Sequence, residues 1–85
     1  MKKPVTIKIV YEGSVKNITK KESEEVKVSE GLDFLHFLSF LFSSYPDIEK
    51  IFPPGTIGFL LNNKPPKTRD ILADGNVVKI TGMKP

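Results

Sequence analysis

The chemistry open to this 85-residue chain concentrates in its last residues, Gly82, Met83, Lys84 and Pro85. They follow a turn signature, Asp74-Gly75-Asn76, and one alternating segment, Val77 to Thr81. A strand that finishes with so few residues left over projects the carboxyl end into solvent, as a reaction handle or as a docking tail. The other reactive side chains carry less. His36 is the only histidine and falls on the polar side of an amphipathic segment, where a solvated imidazole is the default. Asp70 and Asp74 invite a reading as paired carboxylates, but Asp74-Gly75 is turn chemistry and Asp70 lies in a loop, so general acid and base work is not expected of them. The six glycines match neither a P-loop nor a dinucleotide fingerprint. Without cysteine there are no disulfides, thiolate nucleophiles or cysteine-based zinc sites. The expectation is a protein with no catalytic residues, metal or cofactor of its own.

Composition narrows the class further. At 85 residues one domain, 1–85, with one core is expected, and a chain of this size buries roughly 60 to 65% of its unfolded surface. Hydrophobic content of 39%, with six phenylalanines, suits a packed globule. The net charge of +3 is mild, and Lys and Glu interleave through Lys20-Lys21-Glu22-Ser23-Glu24-Glu25 as on a solvated surface. Arg69 is the only arginine and the phenylalanines sit mainly in an apolar segment, so nucleic acid is not the expected partner. No apolar run approaches the roughly 18 residues that span a bilayer. Met1-Lys2-Lys3-Pro4 runs straight into an alternating segment, which leads to the expectation of a cytoplasmic, non-membrane protein.

The elements that must carry the carboxyl segment follow from periodicity. Val5 to Tyr11 alternates, with Val5, Ile7, Ile9 and Tyr11 on one face, and predicts a first strand. Glu24 to Val28 resumes the alternation, so the two form a hairpin with a long polar connection whose Lys16 to Glu22 stretch is the expected mobile loop. Ser29 to Asp33 supplies capping residues for one helix over about residues 32–44, stopped by Tyr45-Pro46. At about 100° per residue, Phe34, Leu35, Phe37, Leu38, Leu41, Phe42 and Tyr45 share an inward arc, with Phe40 outside it. The shoulder residues Phe37 and Phe40 either meet a covering loop or face a partner. Asp47 to Phe52 adds a short helical turn, Pro53-Pro54-Gly55 breaks it, and Ile57 to Asn62 is a strand. Gly58 inside that strand predicts a bulge, or a place where another backbone comes close. Val77 to Thr81 closes the order with Val78 and Ile80 inward.

A hairpin, one helix crossing the sheet and further strands, with the first and last strands adjacent at the centre, describe an α+β fold of the β-grasp or ubiquitin-like kind: a mixed sheet of four to five strands with one main helix packed on one face. Several pieces also resemble the sulfur-carrier branch of that fold, the small subunit of molybdopterin synthase and its thiamine-pathway relative. The segments are Ile18 to Val28, Ser44-Tyr45-Pro46, Leu60 to Lys64 and above all Leu72-Ala73-Asp74-Gly75-Asn76-Val77-Val78-Lys79-Ile80, with Asn76 where the family commonly has a second aspartate. The resemblance implies a carrier whose exposed Gly-Gly carboxylate is adenylated by an E1-like enzyme and converted to a thiocarboxylate. Its implied partners are therefore proteins, an E1-like adenylyltransferase or a large subunit of the molybdopterin-synthase type.

This chain departs from that pattern where the chemistry happens. Gly82 stands about where a glycine is needed, but Met83, Lys84 and Pro85 follow it. Proline fixes its own φ and lysine adds a bulky cation, so neither suits a channel shaped for glycines. Three accounts follow. The chain is a divergent member that binds a partner through its sheet, the last strand at Lys79 and Thr81 and the tail Gly82, Met83, Lys84 and Pro85, without carrying sulfur. Alternatively, trimming to Gly82 activates it for molybdenum cofactor or thiamine biosynthesis, or it is an unrelated β-grasp subunit of a larger enzyme. The first is the favoured expectation.

Overall fold

The computed structural model describes residues 3–52 and 56–82. Strand β1, Pro4–Gly13, opens with a proline whose missing N–H costs nothing at a strand start. Its alternation buries Ile7, Ile9 and Tyr11 almost completely and half-buries Val5 on the same side. Strand β2, Ser23–Ser29, pairs antiparallel with β1, from Pro4 opposite Ser29 to Val10 opposite Ser23. Strand β3, Ile57–Leu61, pairs antiparallel with β4, Val77–Gly82, and β4 runs parallel to β1. The sheet order is β2-β1-β4-β3, so the first and last strands lie together at the centre as the hydrophobic pattern predicts.

A parallel neighbour needs a long return path, and the turn before β4 fixes where it lands. Asn76 Oδ1 accepts the Ala73 N–H at 2.7 Å and Gly75 adopts φ +87°, which closes the turn. Asp74 Oδ1 then accepts the Thr6 N–H at 2.7 Å, and the Gly75 N–H donates to the Thr6 carbonyl at 2.9 Å. The turn is thus clamped to β1, and β4 leaves it already in register, with Lys8 opposite Val77.

Helix α2, Phe34–Ser44, packs on one sheet face. Asp33 caps it by accepting the His36 N–H at 2.9 Å, which satisfies one of the orphan donors of the first turn. The fully buried stripe is Phe34, Phe37 and Leu41, with Leu38, Phe42 and Tyr45 half-buried beside it. Leu35, expected inward, is 51% exposed, because a core-facing stripe need be only about 100° wide and Leu35 stands at its margin. Phe37 belongs to the core, whereas Phe40 is 45% exposed and leans on Phe37 with ring centres 6.4 Å apart. The Tyr45 backbone leaves the helical region before Pro46, and α3, Pro46–Ile51, starts on that proline and buries Ile48.

Two further expectations are corrected. The stretch read as a mobile loop contains a helix, α1, Val15–Thr19, anchored by Val15 and Thr19, both buried, with Ile18 packed against the core. Burial of these three at helical spacing supplies the stability that a polar five-residue segment lacks by itself. Gly58 marks no bulge: Ile57, Gly58 and Phe59 face Gly82, Thr81 and Ile80 in unbroken register. A Cβ on Gly58 would stand 4.0 Å from the Thr81 carbonyl oxygen, an ordinary contact.

Candidate functional site

The sheet face away from α2 is assembled by register. Because side chains alternate, burying Ile7, Ile9, Tyr11, Val78 and Ile80 turns Thr6, Lys8, Val10, Val77, Lys79 and Thr81 to the other side. Val10, Lys79 and Leu60 form one cross-strand row, and Glu12, Thr81 and Gly58 the next. Val10, Val77, Leu60, Lys79 and Thr81 are half-buried, and Lys8 and Glu12 are exposed. Thr81 Oγ1 donates to Glu12 Oε1 at 3.2 Å. The result is a mixed patch with Lys79 at its middle, between Val10 and Leu60 across the strands and between Val77 and Thr81 along β4, and with Lys8 and Glu12 beside it on β1.

Lys79 and Thr81 therefore share this face, two residues apart on β4. Gly82 does not join them. It faces the core side, paired with Gly13 of β1 and with Ile57 of β3. A Cβ at Gly82 would lie 2.6 Å from two ring carbons of Phe52 and 2.9 Å from Val15 Cγ2. Gly13 is equally constrained, with φ +64° and only 2.9 Å between the place of a Cβ and the Gly82 carbonyl oxygen. The position expected to begin a free tail is thus a paired strand residue roofed by aromatic packing. Met83, Lys84 and Pro85 lie outside the described residues. Being paired on both sides, β4 has no edge to offer an added strand; among the described residues the outer strands are β2 and β3.

His36, read as a solvated imidazole, is 69% exposed, but its ring is also held: Nδ1 lies 2.6 Å from Asp33 Oδ1, the oxygen that caps α2. The backbone hydrogen bond from His36, then its ring, hold the Asp33 carboxyl below the ordinary aspartate range. Asp70 Oδ2 accepts the Lys67 N–H at 2.8 Å, so Asp70 and Asp74 both serve turns. Among the described residues no three His, Asp or Glu side chains group as metal ligands do.

One polar cluster was not expected from the sequence. Glu24 lies on the core side of β2, and its Oε2 accepts the hydroxyls of Tyr11 at 2.5 Å and Tyr45 at 2.7 Å. Lys21 Nζ reaches its Oε1 at 3.4 Å. Burial alone would raise the Glu24 carboxyl, but the two hydroxyl donors and the Lys21 charge outweigh it and hold the group below the ordinary glutamate value. Burial first, then the hydrogen bond to Glu24, push both phenols upward. The signal was in the alternation itself: Glu24 has the parity of Val26 and Val28.

The backbone as a whole is shared with known proteins. It superposes on a protein assigned as molybdopterin converting factor subunit 1 from Pyrococcus furiosus with a TM-score of 0.82 at 17% identity, covering 94% of this chain and 99% of that one. It matches small archaeal modifier protein 1 of Haloferax volcanii with a TM-score of 0.78 at 14% identity, over 94% and 99% of the two chains. The modifier protein of the same kind from Methanosarcina acetivorans gives 0.72 at 15% identity, over 94% of each. No protein-family model matches the chain, and no curated protein matches it by sequence. The fold is the β-grasp fold of ubiquitin-like proteins, an α+β architecture with a four-stranded mixed sheet. No helix among the described residues is long and apolar enough to cross a membrane.

Proposed function

We propose that this chain is a non-catalytic, protein-binding β-grasp module of the cytoplasm that docks through the open sheet face around Lys79 and Thr81, together with the segment from Gly82 to Pro85, and that it does not carry sulfur in the form encoded. The supporting observation is the setting of Gly82. A carrier needs a flexible, side-chain-free segment that threads a partner's channel. Here the one glycine in that region is hydrogen-bond paired within the sheet on both sides, with no room above it for a Cβ, and Met83, Lys84 and Pro85 come next in sequence. The same packing weighs against the trimmed form. A carboxylate on Gly82 would sit at the end of a paired strand, with no free residues to carry it into an adenylating site. The partner class proposed is the one the sequence resemblance implies, an E1-like adenylating enzyme or a large subunit of the molybdopterin-synthase type, and the fold shared with a molybdopterin converting factor subunit and a small archaeal modifier protein supports it.

The test has two arms. The full chain is incubated with an E1-like enzyme, ATP and a sulfur donor, and its intact mass is measured. The mass stays unchanged, and exchange of one terminal oxygen for sulfur would overturn the reading. Binding to the same enzyme is then measured by calorimetry with Lys79→Glu, an exposed-face change that leaves the core intact. Affinity falls roughly tenfold if this face docks, and an unaltered affinity removes Lys79 from the interface.

A further inference from the structure

The cleft between α2 and the outer strand β2 holds a carboxylate only partly used by the chain's own donors. The Glu24 side chain is 19% exposed, and its Oε2 is occupied by Tyr11 and Tyr45. Among the described residues its Oε1 receives only Lys21, at 3.4 Å, from a side chain that is itself 50% exposed. A carboxylate oxygen carries two acceptor sites, so Oε1 keeps capacity toward the cleft. The cleft measures about 200 Å³ and is walled by Val26, Phe40, Leu41, Ser44 and Tyr45 around Glu24. Small-molecule sites typically run from about 300 to 1,000 Å³, so this space is the size for one side chain.

We propose that the cleft receives a lysine or arginine side chain presented by a partner protein, its aliphatic stem along Val26, Leu41 and the exposed ring of Phe40 and its cationic head on Glu24 Oε1. Charge complementarity selects this occupant. An anion is repelled by Glu24, and an apolar group leaves Oε1 without a second donor, whereas a cation gains a charge-assisted hydrogen bond and aromatic walls. Lys21 acts as an internal placeholder. Its contact is long and solvent-exposed, of the kind that contributes little, so a better-aimed guanidinium displaces it. Phe40, unaccounted for by the core, becomes the stacking wall. The cleft lies on the helix side of the sheet, opposite the Lys79 face, so the two proposals succeed or fail separately.

The test titrates the 15N-labelled full chain with n-butylguanidinium, and with n-butanol as the uncharged control, following amide shifts by NMR. The expected result is saturable shifts confined to Glu24, Phe40, Ser44 and Tyr45, with a Kd on the order of millimolar, and at least about fivefold weaker binding of butanol. Lys21→Met removes the internal competitor and tightens guanidinium binding by roughly threefold, while Phe40→Ala weakens it by a similar factor. Glu24→Gln abolishes it; the Lys21 and Phe40 variants leave the Tyr11 and Tyr45 hydroxyl contacts in place and decide the matter if that variant unfolds. Shifts that fail to saturate, equal affinity for butanol, no gain in Lys21→Met or no loss in Phe40→Ala would overturn the proposal.

Discussion

Replacing Gly82 by alanine tests whether this residue is a structural part of the sheet or the start of a free segment. The backbone at Gly82 is not in the left-handed region, so alanine carries no conformational penalty there, and the whole effect comes from contact. The new methyl would meet Phe52 Cε1 and Cζ at 2.6 Å and Val15 Cγ2 at 2.9 Å. Neither can yield cheaply: Phe52 is 2% exposed and Val15 fully buried, and both belong to the main core cluster. Overpacking of this kind costs about 1 to 3 kcal/mol. In a domain of this size each kcal/mol lowers Tm by roughly 4 to 8 °C, so Gly82→Ala should melt about 4 to 24 °C below the parent. Thermal and urea unfolding followed by circular dichroism measure it. Phe52→Leu costs about 1 kcal/mol alone, yet it shortens the side chain over Gly82. The double variant should therefore be more stable than the two single effects added together predict, by at least about 0.5 kcal/mol. If Gly82→Ala stays within about 0.5 kcal/mol of the parent, the glycine is not roofed, and the argument against sulfur carriage loses its support.

Two further outcomes test other parts of the structure. Because the Glu24 carboxyl is depressed in the folded state, its contribution is fully present above the ordinary glutamate value of about 4.3 and is lost as pH falls through the lower folded value. Urea unfolding between pH 3 and 7 should show that loss in the parent and a flatter profile in Glu24→Gln; equal slopes would mean that the two tyrosine hydroxyls do not stabilise the carboxylate. Val15→Ala should destabilise by about 1 to 2 kcal/mol through lost burial, and the Lys20 amide, which donates to the Lys16 carbonyl at 2.8 Å, should exchange slowly with solvent. A neutral substitution together with a rapidly exchanging amide would restore the mobile-loop reading.

What was legible in the sequence was what repeats. The alternation of Ile7, Ile9 and Tyr11, and of Val78 and Ile80, gave the buried faces of the two central strands directly, and Pro46 gave the helix stop. The strand neighbours were legible because that alternation, one helix and a clamped turn admit few sheet orders. Helix α1 was not, since five residues cannot display a period and its stability comes from Val15 and Thr19 meeting a core built elsewhere. Glu24 could have been found by parity, but its hydroxyl partners arrive from β1 and from the residue after α2, separations of 13 and 21 residues that no local pattern reports. Gly82 was read as tail because a glycine says nothing about what stands over it, and Phe52 reaches it from thirty residues away, after α3.

The central parallel pair has a consequence for how the chain is made. Residues 8–13 must meet residues 77–82 before the middle of the sheet exists, so that contact spans most of the polypeptide. During translation the hairpin of β1 and β2 emerges with an unsatisfied inner edge, and β3 has nothing to lie against until residue 82 has left the ribosome. Such non-local closure slows acquisition of structure and leaves an apolar ribbon exposed to other nascent chains. Interruption of synthesis shortly before residue 77 would accordingly yield a product without its keystone strand, prone to association and to proteolysis.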